Sequence, residues 1–249
     1  MKKQNKELER SLFAKEEFMM RFSAEGPFYD LVAGFTGIKK GEKILDVGCG
    51  SGVYSIWMAK LGGKVVGIDV SKQAIDFANR WANEEKIDFK GIVGDAENLP
   101  FKKNTYDLLF YGAILHHFPD FSKAIFEGSR VLKRNGKLVL VEPNGYNPIL
   151  RLSRIFARFL PDNLNDEIHA TRNETLHSPR AYEDRLQKSG FKIIKKSFAK
   201  KKPIHKKTIT KNWLLRLANR AKRIGIYVLS FGPKFLGSEY FILLAEKND

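Results

Sequence analysis

Residues 44–55 read ILDVGCGSGVYS, and the order of residue types in this stretch sets the fold. Ile44, Leu45 and Val47 form the short branched run of a buried strand, and Gly48, Gly50 and Gly52 come directly after it. Glycines at a strand end let the chain turn sharply and bring its backbone against a ligand with no Cβ in the way. A dinucleotide-binding turn wants G-x-G-x-x-G, with the third glycine seating helix against strand. Here that position is Val53 and the spacing is G-x-G-x-G, so a nicotinamide cofactor is disfavoured. Asp46, a carboxylate inside the strand, is also a poor companion for a pyrophosphate. It suits a ligand that carries positive charge, such as an amine or a sulfonium.

Outward from this turn, short apolar runs alternate with helical patterns. Strands are expected at 43–47, 64–68, 88–93, 106–111 and 137–141, with helices at 52–60, 71–83 and 121–132. This βαβα alternation predicts a parallel sheet with helices on both faces, whose ligands sit beyond the carboxyl ends of the strands. Further motifs fall at those ends. Asp69 closes VVGID nineteen residues after Gly50, a spacing at which a carboxylate accepts hydrogen bonds from both hydroxyls of a ribose. Gly94, Asp95 and Ala96 bring another carboxylate and a backbone N–H to the third strand end. Beyond residue 144 the pattern changes. A basic amphipathic helix is expected at 149–160, stopped by Pro161, and Ser178 with Pro179 starts another that runs to Gly190. FKIIKKSF and EYFILLAEK supply the last two strands.

Five blocks in register, ILDVGCGSG, VVGIDVS, GDAENLPF, YDLLFYGAILHHFPD and SRVLKRNGKLVLVEPN, resemble the class I S-adenosylmethionine-dependent methyltransferase family, especially its small-molecule and lipid methylating branch. The resemblance covers residues 40–145. It implies a Rossmann-like, doubly wound α/β fold: a mostly parallel seven-stranded sheet with an antiparallel C-terminal edge and helical insertions forming a lid. Residues 1–249 would make one methyltransferase domain. Its parts would be a helical lead-in at 1–40, a cofactor-binding core at 41–144, lid insertions at 145–177 and 199–237, and C-terminal strands and helix at 178–198 and 238–249. By the same resemblance S-adenosyl-L-methionine is the cofactor. Asp46 and the backbone of Gly48, Cys49 and Gly50 would contact its methionine part. Asp69 would bind the ribose with Val70 beside the adenine, and Asp95 with the Ala96 N–H would read the adenine edge. Tyr111 and Gly112 would sit under the methionine amine and the reacting methyl.

Methyl transfer from a sulfonium is an in-line displacement, so holding the acceptor atom against the methyl and excluding water supply much of the acceleration. A base matters where the acceptor is a hydroxyl or a protonated amine. His117 matches the histidine of the family's L-E-H-V-P-D type block and is the expected catalytic residue. No metal site is expected: the side chains of adjacent His116 and His117 should diverge, and no cysteine is available to join them. Cys49, the sole cysteine, reads as a packing residue of the cofactor turn, and Phe101 as a packed aromatic.

Composition bounds the partners. The chain is 43% hydrophobic and 29% charged, and its longest apolar runs fall far short of the roughly 20 residues that span a bilayer. A start without an apolar leader and a single cysteine together predict a cytoplasmic protein. The net charge is +16, and residues 151–249 hold 22 Lys and Arg against 9 Asp and Glu. Residues 195–223 contain twelve basic residues and no carboxylate. On a helical wheel Trp213, Leu214, Leu217, Ala218, Ala221 and Ile224 share one face and Arg216, Arg220, Lys222 and Arg223 the other, with Leu215 misplaced. Such a helix within the basic segment 199–231 either packs on its own domain or lies on an anionic membrane surface, which would make the protein peripheral and the acceptor lipid-like. The first alternative is an RNA methyltransferase, acting on ribose or base, that tracks phosphates with this charge. Against it, Tyr111-Gly112-Ala113 lacks the D-P-P-Y or N-P-P-Y type block of amino-methylating nucleic-acid enzymes, and cytosine C5 chemistry needs a thiol that Cys49 does not supply. The second alternative is a cofactor-binding partner subunit without catalysis.

Overall fold

The structure is a computed structural model that describes residues 25–157, 174–200 and 234–248. In chain order the first elements are α1 (Pro27–Thr36), β1 (Lys43–Val47), α2 (Val53–Lys60), β2 (Lys64–Asp69), α3 (Lys72–Glu84) and β3 (Phe89–Val93). Then come β4 (Tyr106–Gly112), a 3-10 turn (Leu115–His117), α4 (Ser122–Val131), β5 (Leu132–Pro143) and α5 (Pro148–Ala157). The last are α6 (Pro179–Lys188), β6 (Phe191–Ala199), a short α7 (Lys234–Gly237) and β7 (Tyr240–Lys247). The strands form one seven-stranded sheet in the order β3-β2-β1-β4-β5-β7-β6. The first five strands are parallel, and β7 runs antiparallel between β5 and β6. The strand order reverses between β1 and β4, and ligands of open α/β sheets bind at such a reversal.

Period-two alternation assigns each strand residue to a face. Leu45, Val47, Leu109, Tyr111, Leu138 and Leu140 bury toward α4 and α6. Ile44, Leu108, Phe110, Val139 and Val141 bury toward α1 and α2. Local chemistry sets the helix starts. The Ser71 hydroxyl accepts from the Ala74 N–H at 3.3 Å to cap α3, and Ser178 does the same for Ala181 at 3.2 Å, with Pro179 in the first turn. The helix begins one residue after each cap, so the expected 71–83 is Lys72–Glu84.

Two differences from expectation go beyond a residue or two at an element's end. β5 starts at Leu132 rather than at 137, because Leu132 leaves α4 in extended conformation and pairs with Tyr106, after which the ladder resumes at Lys137 opposite Leu108. Residues 133–136 bulge out between these pairs, with Asn135 at a positive φ of 56°. α1 forms a separate helix at the end of the expected lead-in, and its limits are Pro27 in the first turn and Gly37 at φ 53° as the left-handed C-cap. The lead-in pattern of the first twenty residues, the close of the helix expected at 149–160, much of the 145–177 insertion and the amphipathic helix within 199–231 lie outside the described residues. None of the described helices is long and apolar enough to cross a membrane.

Candidate active site

The carboxyl ends of β1 to β5 bring the residues singled out in the sequence to one edge of the sheet. The turn after β1 is left-handed at Gly48, Gly50 and Gly52, with φ of 73°, 52° and 84°. It is tied to β2 because the Gly48 and Cys49 N–H groups both donate to the Ile68 carbonyl, at 2.7 and 3.1 Å. The three glycines do different jobs. A Cβ on Gly48 would stand 2.3 Å from Ile114 Cγ1 and one on Gly52 would stand 2.9 Å from Ala78 Cβ, whereas one on Gly50 would meet nothing within 4 Å. The open side of Gly50 is therefore the place where this turn presents bare backbone to a ligand.

Asp69 borders that opening and is 7% exposed. One carboxylate oxygen accepts the Gly50 N–H and the other the Ser71 N–H, each at 2.9 Å. These bonds fix the carboxylate between the two turns. Val70 comes next in the chain, half-buried. Asp46 is buried against α2, where its carboxylate accepts the Ser55 hydroxyl at 2.6 Å. Burial lifts its carboxyl to about 7, the Ser55 bond opposes this, and the nearby Asp69 charge adds to it. Burial, Asp46 and Asp69 together push the Cys49 thiol well up, so the sulfur is a neutral packing group. It occupies the space left by Gly67, where a Cβ would lie 2.7 Å from Sγ.

The end of β3 is drawn to β2 by the Gly94 N–H, which donates to the Asp69 carbonyl at 2.9 Å. Asp95 is half-buried and caps its own turn, one carboxylate oxygen accepting the Glu97 N–H at 3.0 Å, and Ala96 is buried beside it. Phe101 packs edge-on against Tyr106.

The side chain of Tyr111 turns away from the edge. It is fully buried on the α4 face and its hydroxyl donates to the Ala124 carbonyl at 2.9 Å, so only its backbone faces the strand end beside Gly112. A Cβ on Gly112 would stand 2.8 Å from Tyr54 Cδ2, and the chain passes on through Ala113 at a positive φ of 58°. That left-handed non-glycine residue turns β4 into the 3-10 segment.

His117 is half-buried, its ring 4.1 Å from that of His116 and tilted by 37°. The expected divergence of the two imidazoles is not what forms, because the tight 3-10 turn lays one ring over the other. Of the two, His116 is buried and oriented: its Nδ1 lies 2.8 Å from a carboxylate oxygen of Glu142 at the end of β5. Glu142 also accepts the Ile114, Leu115 and His116 N–H groups, at 2.9, 2.7 and 3.4 Å. Burial raises its carboxyl to about 7, against the lowering effect of these donors and of His117.

Four residues at this edge carry no role that the sequence alone assigns. Glu142 stands at a strand end within the last of the five blocks, the same signal that marks Asp69. Tyr29, Tyr54 and Tyr240 come from α1, α2 and β7 and join Phe28, Trp57 and Phe110 in an aromatic group, with Tyr54 centred 5.8 Å from Tyr29 and 4.9 Å from Phe110. Burial and the surrounding tyrosines and carboxylates raise the Tyr54 phenol well above its usual range. Nothing in spacing links α1 to β7, so this group is not legible in the sequence.

Residues 45–140 match the family model described as a methyltransferase domain. The chain is 30% identical over 120 residues to the uncharacterized methyltransferase YcgJ of Bacillus subtilis, a match covering 48% of this chain and 47% of that protein. It is 38% identical over 110 residues to the demethylmenaquinone methyltransferase of Staphylococcus aureus, covering 43% and 45%. The chain thus spans about half the length of the curated relatives it matches. Among solved structures, geranyl diphosphate C-methyltransferase from Streptomyces coelicolor, in complex with Mg2+, geranyl diphosphate and S-adenosyl-L-homocysteine, superposes with a TM-score of 0.61 at 21% identity, over 88% of this chain and 77% of that one. At that identity the likeness speaks to the fold.

Proposed function

We propose, from the premise that the chain belongs to the class I S-adenosylmethionine-dependent methyltransferase family, that it methylates a small-molecule acceptor. The observation that carries this reading is the link between Gly50 and Asp69 around a turn whose open side would admit a ligand. The residues fit the cofactor: bare backbone at Gly50, a fixed carboxylate at Asp69 for sugar hydroxyls, and beside it the buried Asp46 carboxyl, which a cationic ligand would ionise. Bound S-adenosyl-L-methionine supplies an electrophilic methyl on a sulfonium. We assign the adenine edge to Val70, Asp95 and Ala96, and the methionine part to Asp46, Cys49 and the backbone of Tyr111 and Gly112. Where the acceptor atom carries a proton, its removal falls to the His116–His117 pair, in which Glu142 orients His116.

The aromatic group of Tyr29, Tyr54 and Tyr240 supports an acceptor with an apolar or aromatic body. The similar demethylmenaquinone methyltransferase of Staphylococcus aureus acts on an acceptor of this kind, which supports the reading. A cytoplasmic protein that touches an anionic membrane through segment 199–231 would meet such acceptors. Calorimetry with S-adenosyl-L-methionine, followed by incubation of the labelled cofactor with small-metabolite, lipid and RNA extracts, tests the reading. Label in the small-metabolite or lipid fraction is expected. Label in RNA alone would overturn the acceptor class, binding without label would favour a partner subunit, and absence of binding would remove the premise.

A further inference from the structure

We propose that His116, His117 and Glu174 form a divalent-cation site at the acceptor end of the sheet edge. Glu174 lies 57 residues beyond His117, on the stretch that returns to α6. That stretch is docked on the 3-10 turn: the Thr175 N–H donates to the His116 carbonyl and a ring nitrogen of His177 bonds the Phe118 carbonyl, both at 2.8 Å. The docking brings one ligand atom from each of the three residues within 4.8 Å of the others. Tetrahedral bonds of about 2.1 Å need ligand atoms about 3.4 Å apart, so side-chain adjustments on the order of 1 Å close the site.

The surroundings have the chemistry of a ligand shell. Nδ1 of His116 lies 2.8 Å from Glu142; the tautomer with its proton there would make Nε2 the metal-binding nitrogen, and a carboxylate behind a ligating imidazole is the usual outer partner. Glu174 is 6% exposed and paired with Arg154 of α5 at 2.5 Å, which holds the carboxylate in place. Two imidazoles and one carboxylate are a ligand set for Zn2+ or another late divalent metal, and three protein ligands leave positions open for an oxygen of the acceptor. The cation site would then select acceptors bearing a chelating or anionic oxygen. Ligation would occupy both imidazoles, so with the cation bound the acceptor's proton would be made more acidic by the metal rather than taken by the pair. Acceptor selection rests on the methyl-transfer reading, whereas cation binding does not.

The test is titration of the chelator-treated, full-length protein with Zn2+ by calorimetry, with Co2+ as a visible-absorption probe, in the absence of cofactor and acceptor. One equivalent bound, with ligand-field bands from a four- or five-coordinate nitrogen and oxygen shell, is expected. His117→Gln and Glu174→Gln should each weaken binding at least tenfold while keeping the parent circular dichroism spectrum. Glu142→Gln should weaken it about 10- to 100-fold as an outer-partner change. Absence of Zn2+ binding at millimolar metal, or binding unchanged in both His117→Gln and Glu174→Gln, would overturn the site. A protein that binds Zn2+ as described but transfers no methyl would leave the site standing and overturn the function instead.

Discussion

Burial gives Asp46 a carboxyl near 7 in the folded chain against an ordinary 3.8, so at pH 6 most of the unliganded protein carries it neutral. The folded state binds that proton more tightly than the unfolded one. The stability tied to Asp46 is therefore complete below about pH 3.8 and is lost as the pH rises through about 7, an effect on the order of a few kcal/mol. Glu142, raised from 4.5 to about 7, acts in the same direction. Asp46→Asn should flatten the fall in melting temperature between about pH 4 and 7, and a fall as steep as the parent's would show that Asp46 does not titrate there. A sulfonium ligand should in turn favour the ionised form. Calorimetry near pH 6 in buffers of different ionisation enthalpy should then record proton release on S-adenosyl-L-methionine binding, and Asp46→Asn should abolish it. The glycines separate in a similar way. Gly48→Ala puts a Cβ into Ile114 and should cost several kcal/mol of stability. Gly50→Ala meets no atom, so about 1 kcal/mol of backbone strain is expected, together with at least a tenfold loss of cofactor affinity. Equal affinity in Gly50→Ala would mean that the open side of the turn is not where the ligand lies.

At the scale of elements, the parallel strands are legible because each is a compact apolar run between turn residues, and the carboxylates Asp69 and Asp95 mark where two of them end. The turn after β4 is legible only in part. Its histidines stand out, but their stacking depends on Ala113 at positive φ and on the 3-10 geometry that comes after it, neither of which a residue pattern encodes. The partner of that turn, the stretch at 174–178, is invisible because its contacts join residues about 60 positions apart. One glycine controls this docking. A Cβ on Gly145, just beyond β5, would stand 2.1 Å from the His177 carbonyl oxygen. Gly145→Ala should thus lift the stretch off the 3-10 turn while leaving the sheet intact. Hydrogen exchange should accelerate at the Thr175 N–H, at least tenfold, with β1 and β4 amides unchanged. Unchanged protection at Thr175 would mean that the contact yields elsewhere.

Across the whole molecule, the parallel sheet is legible from the alternation of strands and helices, and the antiparallel edge of the two C-terminal strands from the fold that the five blocks resemble. The chain beyond β5 is less legible, because a segment that leaves the common pattern is read only from its own periodicity. Charge is the property that acts at this scale. Of the twelve basic residues in 195–223, Lys195 rests its ammonium 4.7 Å over the Phe35 ring and Lys196 pairs with Glu183, so the protein's own domain engages these two. The later cations, Arg216, Arg220, Lys222 and Arg223, share one face of the amphipathic pattern and have an apolar face opposite. A pattern of that kind gains from an anionic lipid surface through both faces at once, about 1 kcal/mol for each basic residue near the headgroups. Screening shortens this attraction to about 3 Å in 1 M salt. Flotation with vesicles containing anionic lipid should therefore carry the protein at about 0.05 M salt and release most of it at about 0.5 M. Arg216→Ala with Arg220→Ala should weaken flotation several-fold without changing cofactor affinity. Equal flotation with neutral vesicles would assign the contact to the apolar residues alone, and none with either vesicle would overturn the membrane reading.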